Sequence, residues 1–224
     1  MSDQTRVVLV GATGLIGRAV MAEAVGRPDI HLVAIARREV PLPKGARMEM
    51  LLSDTGHWPD AIADGRPHTA VIALGTTIKA VGGDNAAFRA VDHDLVLESA
   101  AAAKAAGARQ LIVVSSVGAE AGSKNFYLSV KGEVEDKLAK LHFERLDLLR
   151  PGLLRGHRDG PTRPAERLGM IFSPLADLLM LGRLRRYRSA RDSDLARVIL
   201  SLAGAKPRGR FIHHHDEFHR ILNR

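Results

Sequence analysis

A chain of 224 residues, 46% hydrophobic and 26% charged, is long enough for one α/β domain with a modest extra lobe and a well-buried core. It contains no cysteine, which excludes disulfides, thiolate metal sites and cysteine nucleophiles. The net charge of +8 raises nucleic acid as a partner, but the basic residues are mostly dispersed.

Strand-like apolar runs alternate with helical stretches across the first two-thirds of the chain. The strands are expected at Arg6–Val10, His31–Ala36, Arg47–Leu52, Ala70–Leu74, Leu111–Val114 and Leu146–Leu149. Several are apolar nearly throughout, as parallel strands covered on both faces should be. Helices are expected at Ile16–Gly26, Trp58–Ala63, Asn85–Ala106 and Asn125–Leu141, with Gly107 as the stop of the third. This alternation predicts an α/β fold, a doubly wound parallel sheet of Rossmann-like type. No apolar stretch is long enough to span a bilayer. Met1 to Arg6 is short and polar, unlike a secretory signal. A cytoplasmic protein with no membrane contact is therefore expected.

After Arg150-Pro151-Gly152 the character changes. Arg155 to Pro164, rich in Gly, Pro, Arg and His, reads as a loop. Helices should follow at Ala165–Leu181 and Ser193–Ala203, then a last strand at Arg210–His214. This remainder is too small to fold alone. Residues 1–224 therefore read as one domain, with 152–192 and the C-terminal end contributing a small substrate-side lobe.

Chemistry enters with Gly11-Ala12-Thr13-Gly14-Leu15-Ile16-Gly17, directly after the first strand. Gly11 permits the tight turn, Gly14 lets backbone approach a pyrophosphate, and Gly17 lets the helix pack closely. The helix opening near Leu15 aims free N–H groups and its positive end at phosphates. At the end of the second strand, Arg37 and Arg38 suit the 2′-phosphate of NADP, where a carboxylate would favour NAD. Glu39 beside them is the objection to that choice. Leu74-Gly75-Thr76-Thr77 ends the fourth strand, where Gly75 would let backbone lie against the cofactor.

Ser115, Ser116, Tyr127 and Lys131 form the reacting set. Tyr127 and Lys131 stand four apart on one helix face. Reduction of a carbonyl needs a proton for the developing alkoxide, which a tyrosine supplies if a cation stabilises its phenolate. An ammonium at ~4 Å in an effective dielectric near 20 contributes about 4 kcal/mol. A serine hydroxyl, from Ser115 or Ser116, would hold the substrate oxygen. The cluster Arg183, Arg185, Arg186, Arg188 and Arg191 reads first as a solvated face, with contacts to an anionic substrate or phosphate as the next alternative and a nucleic-acid surface the last. His213-His214-His215 reads as a surface strand end and is assigned no metal, although alternation would put His213 and His215 on one face.

These motifs together resemble the atypical short-chain dehydrogenase/reductases, and more closely the small oxidoreductases related to the HIV Tat-interacting protein. The likeness is carried by Gly11 to Gly17, Arg37-Arg38, Leu74 to Thr77, Ser115-Ser116, the run Tyr127 to Glu135, and Arg150-Pro151-Gly152. It implies NADP(H) binding by Thr13, Gly14, Leu15, Ile16, Arg37, Arg38, Leu74, Gly75, Tyr127 and Lys131, with Leu154 and Arg163 reaching the nicotinamide half. The expectation is an NADP(H)-dependent oxidoreductase acting on a small-molecule carbonyl or alcohol, as a monomer or homodimer. Tyr127 would be its general acid/base. The alternatives are a non-catalytic NADP(H)-sensing regulator and a nucleotide-sugar epimerase or dehydratase.

Overall fold

Each strand of the central sheet sends alternate side chains to opposite faces, and the sequence makes both faces apolar. In β1 (Thr5–Val10), Val7 and Leu9 point to one side while Val8 and Val10 point to the other, all of them buried. A sheet of this kind must be covered twice, and helices from the intervening segments do so.

The computed structural model describes residues 4–156 and 180–223, apart from the side chain of Arg183. Six further strands join β1 in one sheet: β2 (Ile30–Ala36), β3 (Glu49–Leu52), β4 (Thr69–Ile72), β5 (Gln110–Val114), β6 (Arg145–Leu149) and β9 (Gly209–His213). Their order is β3-β2-β1-β4-β5-β6-β9, and every pair is parallel. The α/β doubly wound fold read from the sequence is the observed one. The chain reverses its direction of travel between β1 and β4, which makes a crevice at their carboxyl ends.

One face is covered by α1 (Leu15–Ala24), α6 (Asp192–Leu202) and α7 (His215–Leu222), through Ile16, Val20, Leu195, Ile199 and Phe218. The other is covered by α2 (Trp58–Asp64), α4 (Leu95–Ala105) and α5 (Phe126–Ala139), through Trp58, Ile62, Val96, Val134 and Leu138. A short parallel pair, β7 (Leu154–Arg155) with β8 (Ala190–Arg191), stands apart from the main sheet.

Three departures from the sequence reading bear on function. The third helix is not uniform: α3 (Asn85–Arg89) passes through a π-helical turn, Ala90–Asp94, before α4. The C-terminal end, assigned above to a substrate-side lobe, supplies α6 to the sheet's covering layer and β9 as its last strand. The alternation expected for His213 and His215 stops at His213, because α7 starts at His215. The expected helix at Ala165–Leu181 and the loop position Arg163 lie outside the described residues, as far as residue 179.

Candidate functional site

The glycine turn leaves β1 in a conformation that only glycine adopts readily. Gly11 has φ +96°, and a Cβ there would stand 2.8 Å from the Ala73 carbonyl. At Gly17 a Cβ would overlap Gly11 O and Ala12 Cα, so its absence lets α1 sit against the turn. Gly14 differs. Its φ of −75° suits any residue, and a Cβ would meet nothing nearer than Gly11 O at 3.4 Å. The room left at Gly14 faces a cleft.

That cleft, about 590 Å³ in volume, opens at the carboxyl ends of β1, β4 and β5. Thr13, Gly14, Leu15 and Ile16 line one wall, with Leu74 and Gly75 behind them. Ser115, Tyr127, Lys131 and Leu154 line the far end. Segments distant in sequence thus meet in one concavity. Gly11 and Gly17 shape the wall without lining it.

Tyr127 and Lys131 reach the cleft because of how α5 begins. The Asn125 side chain caps the helix by accepting from Leu128 N at 3.1 Å, which places Tyr127 in the first turn. The Tyr127 ring packs on Phe88, centroids 5.8 Å apart, and Lys131 Nζ lies 6.0 Å from the Tyr127 centroid. A Cβ at Gly132 would overlap Glu120 C and Ala121 N, so this glycine lets the loop after β5 close onto α5.

The two serines are placed differently. Ser115 is buried and its Oγ donates to Glu135 Oε1 at 2.5 Å, while the same carboxylate accepts from Arg150 Nε at 2.9 Å. Its single hydroxyl proton is engaged inside the protein. Ser116 is half-buried, and its Oγ donates to Val117 O at 3.3 Å, a long bond.

Asp92 was missed by the sequence reading. It is 1% exposed, lines the cleft, and stands 2.8 Å through Oδ1 from Lys131 Nζ. Its Oδ2 accepts from Thr76 N at 2.7 Å. The π-helical turn that carries it docks on α5 beside the Arg89–Glu133 ion pair and the contact of His93 Nε2 with Lys137 Nζ. Such turns recur at functional sites. A signal existed: Phe88, Asp92, Val96 and Ala100 repeat at spacing four, and a carboxylate in an apolar stripe demands a buried partner. Arg18, one position past Gly17, also lines the cleft, and its Nε donates to Thr13 O at 3.0 Å.

Arg37 and Arg38 are exposed and do not line the cleft. They follow β2, whose Ile35 pairs with Val10 immediately before Gly11, so they stand near the glycine turn at the carboxyl end of the sheet. The clustered arginines fall partly on the 3₁₀ helix Gly182–Tyr187, where Arg185 Nε pairs with Asp216 at 3.2 Å. Among the described residues no helix is long and apolar enough to cross a membrane.

Several observations show that the residues present fit a dinucleotide. Gly14 and Gly75 leave room on the cleft wall where a Cβ would meet nothing within 3.4 Å or 3.6 Å respectively. α1 begins without a side-chain cap beside that wall, where the positive end of a helix receives phosphate. Lys131 Nζ, held 2.8 Å from the buried Asp92 Oδ1, stands in the same cleft lining.

A family model described as NAD(P)H-binding matches residues 11–153, from the glycine turn to just past β6. The chain belongs to this NAD(P)H-binding family. Curated relatives include the mitochondrial protein fmp52 of Aspergillus fumigatus, 35% identical over 207 residues that cover 89% of this chain and 87% of the relative. The corresponding Emericella nidulans protein is 33% identical over 174 residues, covering 75% and 74%. The chain is thus an NAD(P)H-binding protein of the fmp52 kind. The cytoplasmic expectation is corrected by these relatives, which are named as mitochondrial. Composition and core patterning answer to folding, and folding is alike in both compartments.

Solved structures show the same fold. MoeE5 in complex with UDP-glucuronic acid and NAD aligns with a TM-score of 0.69 at 17% identity, over 92% of this chain and 74% of that one. A UDP-N-acetylglucosamine 4-epimerase from Methanobrevibacter ruminantium aligns with a TM-score of 0.68 at 14% identity, over 96% and 77%.

Proposed function

We propose that this protein is an NADP(H)-dependent oxidoreductase of short-chain type, related in its finer detail to the HIV Tat-interacting-protein oxidoreductases and acting on a small carbonyl or alcohol. The observation that carries the reading is the opening of Tyr127 and Lys131 into the same cleft as the glycine turn. When bound, the nicotinamide supplies or accepts the hydride. Thr13 to Ile16 and the start of α1 hold the pyrophosphate, while Leu74 and Gly75 lie along the middle of the dinucleotide. Leu154 packs at the nicotinamide end.

Tyr127 Oη gives its proton to the substrate oxygen in reduction and takes it back in oxidation. The Lys131 ammonium stabilises the phenolate and donates to the cofactor ribose. Ser115 lines the cleft but donates its proton to Glu135, and Ser116 does not line the cleft, so either hydroxyl would have to turn from its present partner to donate to the substrate oxygen. Arg37 and Arg38, which make no ion pair among the described residues, receive the 2′-phosphate.

A screen of aldehydes, ketones and sugar nucleotides, followed by NADPH absorbance, tests the reading. Tyr127→Phe should lower the rate on any substrate found by at least about a hundredfold, with NADPH binding retained. NADPH should bind at least about tenfold more tightly than NADH, a preference of about 1.4 kcal/mol that Arg37→Ala/Arg38→Ala removes. Full activity in Tyr127→Phe would defeat the catalytic assignment and favour a cofactor sensor.

A further inference from the structure

Asp92 has no task in the proton chemistry described above, and its pairing with Lys131 is unusual for two reasons. Both side chains are buried in the wall of the cleft, at 1% and 7% exposure, where an ammonium intended only to attract phosphate or phenolate would gain from being uncompensated. The carboxylate also cannot turn away. Oδ2 is fixed by Thr76 N at 2.7 Å, and Oδ1 lies beside Gly75, 3.6 Å from where a Cβ on that glycine would stand. Oδ1 lies 2.8 Å from Lys131 Nζ, so the ammonium is its partner and holds it in place.

The two oxidation states of a nicotinamide cofactor differ by one charge on the ring: the oxidised ring is cationic, the reduced ring neutral. A bare ammonium at the Tyr127 end of the cleft would therefore repel the oxidised form selectively. With Asp92 against it, the pair is neutral overall. Arg18 lies in the wall formed by α1, and Arg89 is already matched by Glu133, so neither replaces Lys131 at this end.

We infer that Asp92 sets the balance between oxidised and reduced cofactor in this cleft, its carboxylate offsetting the Lys131 charge. The inference rests on the proposed placement of the nicotinamide beside Tyr127 and Lys131. It goes beyond that placement by assigning a redox-state preference to a residue outside the Ser-Tyr-Lys set. It also gives the π-helical turn a purpose, since that turn is what carries Asp92 to Lys131.

The test is a charge series read by binding, not by turnover. Dissociation constants for NADP⁺ and NADPH are measured by titration calorimetry on the unaltered protein, Asp92→Asn, Lys131→Met and the double variant, with a melting curve for each. A unit charge at ~8 Å in an effective dielectric near 20 changes affinity on the order of thirtyfold, and salt reduces this to about tenfold. Asp92→Asn should raise the ratio of the NADP⁺ constant to the NADPH constant about tenfold. Lys131→Met should lower the ratio by a similar factor, even as both affinities fall. The double variant, neutral again and free of a lone buried charge, should return the ratio to near its original value whether or not Asp92→Asn folds well. Equal weakening of both forms, or single variants that move the ratio in the same direction, would overturn the role of Asp92 alone. Failure of the unaltered protein to bind either form would overturn the cleft assignment itself, and this inference with it.

Discussion

Asp147 and Asp92 are both buried carboxylates paired with a basic side chain, but their surroundings are opposite. Asp147, on β6, accepts from Arg145 Nε and Nη2 at 2.7 Å each and from Gln110 Nε2 at 2.8 Å, and pairs with His213 Nε2 at 2.8 Å. Every lone pair has a use within the fold. Burial pushes its carboxyl up, yet the bonds from His213, Arg145 and Gln110 outweigh that and hold it below the usual carboxylate range. Asp92 has fewer partners, Thr76 N on Oδ2 and Lys131 Nζ 2.8 Å from Oδ1, and it lines the cleft. A closed network fixes a structure, and an open one leaves capacity for a ligand.

That contrast is broken most directly at Asp147. Asp147→Ala should cost about 3–5 kcal/mol of stability, because it leaves the buried Arg145 guanidinium uncompensated. Urea denaturation measures this loss, and NADPH affinity at a temperature where the variant is folded should be unchanged. A loss under about 1 kcal/mol would show that the network is worth little.

Two glycines sharpen the same contrast between filled and open surroundings. Gly132→Ala should cost about 1–3 kcal/mol, since its Cβ would overlap the backbone of Glu120 and Ala121. It should also weaken cofactor binding by displacing the loop after β5. Gly14→Ala should leave the melting temperature nearly unchanged, because the protein has room for the methyl, yet reduce NADPH affinity. Reversal of these two outcomes would mean that the wall at Gly14 does not face the cofactor.

The smallest effect is on pH dependence. Burial, reinforced at His214 by the charge of Arg150, holds His214 and His215 below the ordinary imidazole value. Such groups take up a proton more readily in the unfolded chain, so stability should decline as pH falls below about 6.5. The Asp147 contribution is complete above about 3.9 and is lost only as pH falls through its lower folded value. Denaturation midpoints between pH 8 and 3 should therefore fall in two stages. His214→Gln/His215→Gln should remove the first stage, and its persistence would exclude these histidines as its source.

How much of this was legible beforehand depends on the range of the interaction. The six strands before Pro151 were readable because β-strands covered on both faces must be apolar, a property of each segment alone. The glycine turn and the Tyr127–Lys131 spacing were readable for the same reason, since a strand-turn-helix and one helical turn are local geometries. Asp92 was hidden because its role depends on meeting Lys131 from a different helix, across a π-helical turn that no periodicity announces. Ser115 was placed in the right region, but its commitment to Glu135 depends on how β5 packs against α5.

The sequence by itself determined the succession of strands and helices, the glycine turn after β1 and the shared helix face of Tyr127 and Lys131, because local stereochemistry and hydrophobic periodicity act over a few residues. Only the tertiary structure decided that β9 closes the sheet, that Ser115 turns inward and that Lys131 is neutralised by Asp92. Those outcomes are pairings between residues far apart in the chain, and only packing chooses among the partners that burial allows.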